Sequence, residues 1–205
     1  MADLLTKVEL ERKTKETEIK LKLNLAGEGD YDIDTGIGFF DHMLELFCCH
    51  GFFDMGIKVN GDLYVDEHHT IEDVGIVLGQ AIKKAVGDKA GIRRYGDVTL
   101  PMDETLVQVV LDLSGRPYYL DDLDFAREMV GDFPVELFGE FFRALTNNCG
   151  MNLHIRMIRS GNAHHLIEGC FKAFGRALDQ ALSRDDRLGD KPMSTKGSLK
   201  EGENL

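Results

Sequence analysis

A histidine four residues ahead of a carboxylate is a metal-binding spacing, and this chain contains it twice. His68-His69-Thr70-Ile71-Glu72 returns 96 residues later as His164-His165-Leu166-Ile167-Glu168, and four of the seven histidines lie in the two copies. On a helix, His68 and Glu72 share one face, while His69 is turned away from His68 by roughly 100°. Each copy therefore offers a His–Glu pair to one ion and a second imidazole to another. One copy alone reads equally well as the polar first turn of a helix. Two copies in register, in a chain with few histidines, favour metal. The spacing is not HExxH, where the glutamate between two ligands acts as a base. A doubled phrase predicts two half-domains that each supply ligands, and so a centre of two metal ions.

The elements that must position these residues also repeat. Gly79, Ala81 and Ala85 recur as Gly175, Ala177 and Ala181 at the same offset. In the first half, alternation predicts a strand over 17–25, followed by a turn over 27–30. Helical periodicity spans 39–47 and stops at His50-Gly51, with Gly51 as a left-handed cap. Residues 55–59 and 62–65 read as a strand hairpin, and 71–86 as a helix with Val74, Val77, Leu78, Ala81 and Ile82 inward. The second half predicts strands over 98–100 and 106–113, a helix over 135–145, a strand over 153–158 and a helix over 166–182. Each half is thus strands, helix, strands, helix, with the histidine phrase opening the second helix. We expect an α+β protein of two similar fused half-domains, residues 1–90 and 91–187, followed by a polar C-terminal arm, 188–205. Beyond residue 185 the bland expectation is a disordered tail. The first helices correspond as well: His42 precedes His68 by 26 residues and Glu140 precedes His164 by 24. Both become candidate ligands, Glu140 with less force.

Composition narrows the partners. A net charge of −12 argues against a nucleic-acid partner, whose phosphates demand a basic face, while a small anion can still be held in a local basic pocket. At 205 residues with 43% hydrophobic content, the chain can bury a full core. The four cysteines form no CxxC and read as reduced, buried thiols. No apolar run approaches a membrane span and no charged-then-apolar segment opens the chain, so we expect a cytoplasmic protein.

Ordered motifs run along the chain: Gly38-Phe39-Phe40-Asp41-His42-Met43-Leu44, Asp66-Glu67-His68-His69-Thr70-Ile71-Glu72-Asp73, Gly91-Ile92-Arg93-Arg94-Tyr95-Gly96, Pro101-Met102-Asp103-Glu104, Asp112-Leu113-Ser114-Gly115-Arg116-Pro117, Asn162-Ala163-His164-His165-Leu166-Ile167-Glu168 and Phe171-Lys172-Ala173-Phe174-Gly175-Arg176-Ala177-Leu178. With Thr14-Lys15-Glu16-Thr17 and Ser194-Thr195-Lys196-Gly197 they cover nearly the whole chain. Together they resemble one family, the imidazoleglycerol-phosphate dehydratases, and the resemblance carries expectations. It implies a ribosomal protein S5 domain 2-like fold, each half a small mixed sheet with two helices on one face. It implies dehydration of D-erythro-imidazole glycerol phosphate to imidazole acetol phosphate in histidine biosynthesis, by a carbon–oxygen lyase. The reaction would run through an imidazolate held by two Mn²⁺ per active site, with carboxylate acid/base catalysis. The implied partners are a small phosphorylated imidazole and further copies of the chain, 24 in the family's shell with sites between subunits, and neither nucleic acid nor membrane.

The resemblance also assigns roles. His42, His68, His69, Glu72, His164, His165 and Glu168 become metal ligands. The position of Glu140 is His in several family members, and a carboxylate there is a harder Mn²⁺ ligand. Glu16 matches the acid/base glutamate, and Asp103 is a weaker candidate for holding a hydroxyl or a ligand. Arg94, Arg116, Lys172, Ser194 and Lys196 match substrate and phosphate contacts. Without the resemblance, Glu16 reads as a solvated charge, Arg116 as a turn residue and Lys172 as a surface partner of Glu168. Ser194 and Lys196 read as tail. Two other functions compete: a two-metal hydrolase or phosphatase, which favours Asp-rich ligands, and a non-catalytic metal-binding shell, which has no use for Glu16, Arg116 or Lys196.

Overall fold

The structure is a computed structural model that describes residues 7–197 and 199. The first half contains β1 (Val8–Lys13), β2 (Thr17–Asn24), β3 (Tyr31–Asp34), α1 (Gly38–Gly51), β4 (Asp54–Gly61) and α2 (His68–Val86). The second contains β5 (Tyr95–Met102), β6 (Thr105–Asp112), β7 (Tyr118–Asp121), the short pair β8 (Met129–Val130) and β9 (Phe133–Pro134), α3 (Glu136–Cys149), β10 (Asn152–Arg159) and α4 (Ala163–Leu182). The two main sheets have the same plan: order β1-β2-β4-β3 in one and β5-β6-β10-β7 in the other. In each, one edge strand is parallel to its neighbour and the other pairings are antiparallel. The expected mixed sheet with two helices on one face is present in both halves.

The alternation in β2 sends Ile19, Leu21 and Leu23 inward and Lys20 and Lys22 outward. The helices cover the inner faces and meet their counterparts from the other half, α1 against α4 and α2 against α3. Phenylalanines close this interior: Phe47 stacks on Phe174 at 5.3 Å, Phe40 meets Phe141 edge-on at 5.2 Å, and Phe142 meets Phe174 edge-on at 5.3 Å. Glycines let the paired helices touch. A methyl on Gly75 would stand 2.7 Å from the Phe141 carbonyl, one on Gly79 2.4 Å from that of Leu145, and one on Gly175 2.7 Å from that of Phe47. The sequence of these contacts shows that the paired helices run in the same direction. His42 on α1 therefore lies at the same helix ends as His164 and Glu168 on α4, and Glu140 on α3 at the same ends as His68 and Glu72 on α2.

Several expectations need correction. Residues 62–65 form no strand. Their alternation imitates one, but β4 already has β2 on one side and β3 on the other, so no free edge remains. Leu63, Tyr64 and Val65 instead sit in an exposed loop, Tyr64 at 91%. Gly51 is the last residue of α1 and not its cap; Phe52 takes the left-handed conformation at φ 56°. The Phe53 ring fills the space where a side chain at 51 would stand, and that explains the glycine. The sequence reading contains no strand at β1, β3, β7, β8 or β9; β3 and β7 are short and largely exposed, with little alternation to read, and β8 and β9 are two residues each. Nor is the segment after 185 irregular throughout. It is bound to the linker between the halves through the bridge Ala90–Pro192 and through Gly91 N–H to the Lys191 carbonyl at 3.0 Å, just beyond the bridge Ile92–Arg184. The last predicted residues of the arm, 198 and 200–205, lie outside the described residues.

Candidate active site

Both histidine phrases open a helix, and both are set by the same local device. Two residues ahead of the first histidine an Asx side chain accepts its backbone N–H: Asp66 Oδ1 from His68 at 2.9 Å and Asn162 Oδ1 from His164 at 2.9 Å. This satisfies a donor that a helix start leaves free. The adjacent rings then diverge, with interplanar angles of 80° for His68 and His69 and 90° for His164 and His165. The predicted splitting of each pair between two directions is present in both copies.

The two members of each pair have different partners. His164 Nε2 lies 3.3 Å from Glu168 Oε2, and Glu168 is buried, with Lys172 Nζ 2.7 Å from its other oxygen. His69 is held through Nδ1 by Asp62 Oδ2 at 3.0 Å, which leaves Nε2 facing Glu16 Oε1 at 4.0 Å. The hydrogen bond to Asp62 raises the His69 pKa, with Glu16 and Asp66 adding to it and desolvation opposing. The second half repeats this with a change of atom. His165 Nδ1 lies 3.1 Å from both oxygens of Glu104, and the bond lowers the Glu104 pKa after a larger effect of the residue's own backbone N–H. Among the described residues, Asp103, Glu104 and His165 bring ligand atoms within 4.8 Å of one another, a grouping able to hold a metal ion.

Sequence reading missed three residues here. Asp62 orients His69; its other oxygen is buried without a partner. Glu104 faces His165 as Glu16 faces His69. A signal for Glu104 was present: Glu16-Thr17 and Glu104-Thr105 both end the turn ahead of the second strand of their sheets. Asp73, the third, is buried behind the phrase. Of the predicted residues, Glu16 and His69 are brought together, as are His164, Glu168 and Lys172. Asp103 sits beside Glu104 with φ 48°. His42 is half-exposed and 3.3 Å from Glu45, and Glu140 is paired with Arg143 at 2.5 Å.

The cations divide into two kinds. Arg94 is already engaged: its guanidinium grips both oxygens of Asp112 at 2.6 and 2.9 Å and donates to the Met193 carbonyl at 2.7 Å. It thereby adds a side-chain anchor to the segment that carries Ser194 and Lys196. Lys172 is a half-buried partner of Glu168, not the loose surface pair of the bland reading. Arg116 and Lys196 are exposed. The Arg116 backbone is pinned by Ser114 Oγ and by Asn152 Nδ2, which donates to its carbonyl at 2.6 Å, so the side chain leaves a fixed base.

The relatives that share this doubled build with imidazole and carboxylate at the heads of equivalent helices are named as dehydratases, and they define this protein as a hydro-lyase, an enzyme that removes water by breaking a carbon–oxygen bond. A model of the family "Imidazoleglycerol-phosphate dehydratase" matches residues 35–178. Among relatives of that name, the protein of Acetivibrio thermocellus is 56% identical over 94% of this chain and 98% of its own. That of Clostridium acetobutylicum is 57% identical over 93% and 96%. The crystal structure of the Staphylococcus aureus enzyme superposes with a TM-score of 0.80 at 41% identity, covering 88% of this chain and 100% of that one. The Pyrococcus furiosus enzyme, solved in complex with (S)-C348, gives 0.79 at 34%, covering 92% and 99%. The chain belongs to the imidazoleglycerol-phosphate dehydratase family. No helix among its described residues is long and apolar enough to cross a membrane.

Proposed function

We propose that the chain removes water from D-erythro-imidazole glycerol phosphate to give imidazole acetol phosphate, using two Mn²⁺ per site and Glu16 as the proton carrier. The observation that carries this reading is the placement of the Glu16 carboxylate 4.0 Å from the outward nitrogen of His69, whose inward nitrogen is fixed by Asp62. A ligating imidazole is oriented in this way, by a carboxylate on its second nitrogen. The donor set fits manganese: His42, His68, His69, His164 and His165 with Glu72, Glu140 and Glu168 supply imidazole nitrogens and carboxylate oxygens. Bound there, the metal would contribute Lewis acidity and a fixed seat for the substrate's ring.

This chain's own groups do the rest. The carbon proton to be lost adjoins no carbonyl, so the base must be held in place rather than merely present. Glu16 lies on the β1–β2 turn, where Thr14 Oγ1 accepts its backbone N–H at 3.1 Å, and its half-exposed carboxylate takes that proton. Arg116 and Lys196 hold the phosphate, one as a planar fork and one as a point charge. Lys172 and Ser194 complete that contact, and Arg94 serves it by fixing Met193 next to Ser194. Asp103 holds a substrate hydroxyl or steadies its neighbour. The half-domains 1–90 and 91–187 each present an open ligand group, so the sites close between copies in a cytoplasmic homo-oligomer, 24 in number, with Ser194 and Lys196 of the C-terminal arm at the phosphate.

The test is turnover of imidazole glycerol phosphate by chelator-stripped protein before and after Mn²⁺, with Glu16→Gln beside the wild type. Activity that returns with Mn²⁺, together with a variant that binds Mn²⁺ and assembles but is about 10²–10⁴-fold slower, is the expected result. A Glu16→Gln protein of undiminished turnover refutes the assignment of the proton carrier.

A further inference from the structure

Asp73 follows Glu72 directly but points the other way, into the body, where it is 6% exposed. Its two oxygens tie together the two strands on either side of Glu16. Oδ1 accepts from Arg12 Nε at 3.0 Å and lies 2.9 Å from Arg12 Nη2, at the end of β1. Oδ2 accepts from Thr17 Oγ1, at the start of β2. Thr17 Oγ1 is 3.3 Å from Thr14 Oγ1, which accepts the backbone N–H of Glu16 at 3.1 Å and of Thr17 at 2.9 Å. A short run of hydrogen bonds thus connects the helix that carries His68, His69 and Glu72 to the backbone of Glu16.

The internal repeat supplies a control. At the equivalent place in the second half, Gly169 stands for Asp73 and Leu100 for Arg12, opposite Val107 as Arg12 is opposite Ile19. A methyl on Gly169 would meet Val107 at 3.4 Å. The same fold therefore closes there without charge. An ion pair with Asp73 buried and Arg12 still partly exposed is a weak device for stability, since apolar replacements of buried pairs are often neutral or better and exposed pairs contribute little. The half that carries Glu16 keeps the pair; the half that carries its counterpart Glu104 does not.

We propose that Asp73 is a positioning residue for the reaction, holding the Glu16 turn in register with the ligands on α2. The inference rests on Glu16 being the proton carrier. Mispositioning by about 1 Å costs on the order of 10²-fold in rate, and a loosened rather than displaced turn loses less.

The experiment is a double-mutant cycle on the full-length, manganese-loaded protein: Asp73→Asn, Glu16→Gln and both together, each with kcat, KM, bound manganese and particle size. Asp73→Asn is expected to lower kcat by about 10- to 100-fold with KM and manganese content unchanged. Added to Glu16→Gln, it is expected to do nothing more, because the group it positions is already gone. A purely structural role would lower activity by the same factor in both backgrounds, and that result overturns the proposal. So does full activity of Asp73→Asn, or a fall in kcat that tracks lost manganese. If Asp73→Asn does not fold, Thr17 carries the test: Thr17→Ser keeps the hydroxyl and is expected to keep kcat, while Thr17→Val loses it. Equal kcat in those two overturns the proposal. Undiminished turnover of Glu16→Gln instead removes the underlying reading, and it is recognised from that variant alone.

Discussion

Replacing Gly79 with alanine tests the close spacing of α2 and α3, the helices that carry the proposed ligands His68, His69, Glu72 and Glu140. The new methyl would stand 2.4 Å from the Leu145 carbonyl oxygen, 2.9 Å from Asn148 Cβ and 3.1 Å from Cys149 N. Ordinary contact begins at 3.4 Å, so the helices must part by about 1 Å. Two effects compete. Alanine favours a helix over glycine by about 1 kcal/mol, and overpacking costs about 1–3 kcal/mol. Two of the three contacts are backbone atoms, which cannot rotate away, so the upper part of that range applies and the net loss is about 1–2 kcal/mol. At roughly 2–4 °C per kcal/mol for a chain of this size, Tm falls by about 2–8 °C. Thermal melting of the manganese-loaded protein measures it. Gly139→Ala is the control on α3: its methyl would meet only Arg143 Nη2 at 4.0 Å, so helix propensity acts alone, adding about 0.5–1 kcal/mol and raising Tm by about 1–4 °C. A Gly79→Ala protein that melts at or above wild type, as the control does, refutes the close approach. Because the parting separates Glu72 from the Glu140 helix, manganese affinity should fall in the same variant.

Asp62→Asn is expected to bring the His69 pKa down and to weaken manganese binding by about 10- to 100-fold, followed by titration of the ring resonance in metal-free protein and by metal titration. The sign is fixed by the raised pKa. In metal-free protein the bond to Asp62 supports the fold fully below pH 6.5, the ordinary histidine value, and that support is lost as pH rises through the folded value. Manganese needs the neutral ring, so its affinity in the wild type falls as pH drops through the same value, and does so at lower pH in Asp62→Asn. An unchanged pH midpoint would sink this account of His69. Lys196→Ala is expected to raise KM by about 10-fold with little change in kcat, as loss of one charge-assisted contact to phosphate would; steady-state kinetics decide it, and an unchanged KM removes the arm from the phosphate site.

The local signals in the sequence were reliable where they depended on period. A repeat of 96 residues and helical spacing identified both histidine phrases, the helices they open, and the glycines that recur at 79 and 175. Alternation found β2 and β6, whose inward faces are buried throughout. The same alternation over 62–65 misled, because whether a segment pairs depends on a vacant sheet edge, and β4 has none. Gly51 misled for a similar reason: it serves the Phe53 ring, a neighbour whose position follows from the turn and not from glycine's usual habit.

What the sequence determined by itself was the kind of chemistry and its doubling, since residue type and periodic spacing survive without a fold. What only the tertiary structure decided was who faces whom between different elements. Asp62 reaches His69 from a loop, Glu104 reaches His165 from a turn 61 residues away, and Asp73 joins two strands 56 and 61 residues distant. Those pairings carry no period, so no spacing announces them. They arise when two sheets close over four helices and the burial of the apolar faces fixes which turn lies against which helix end.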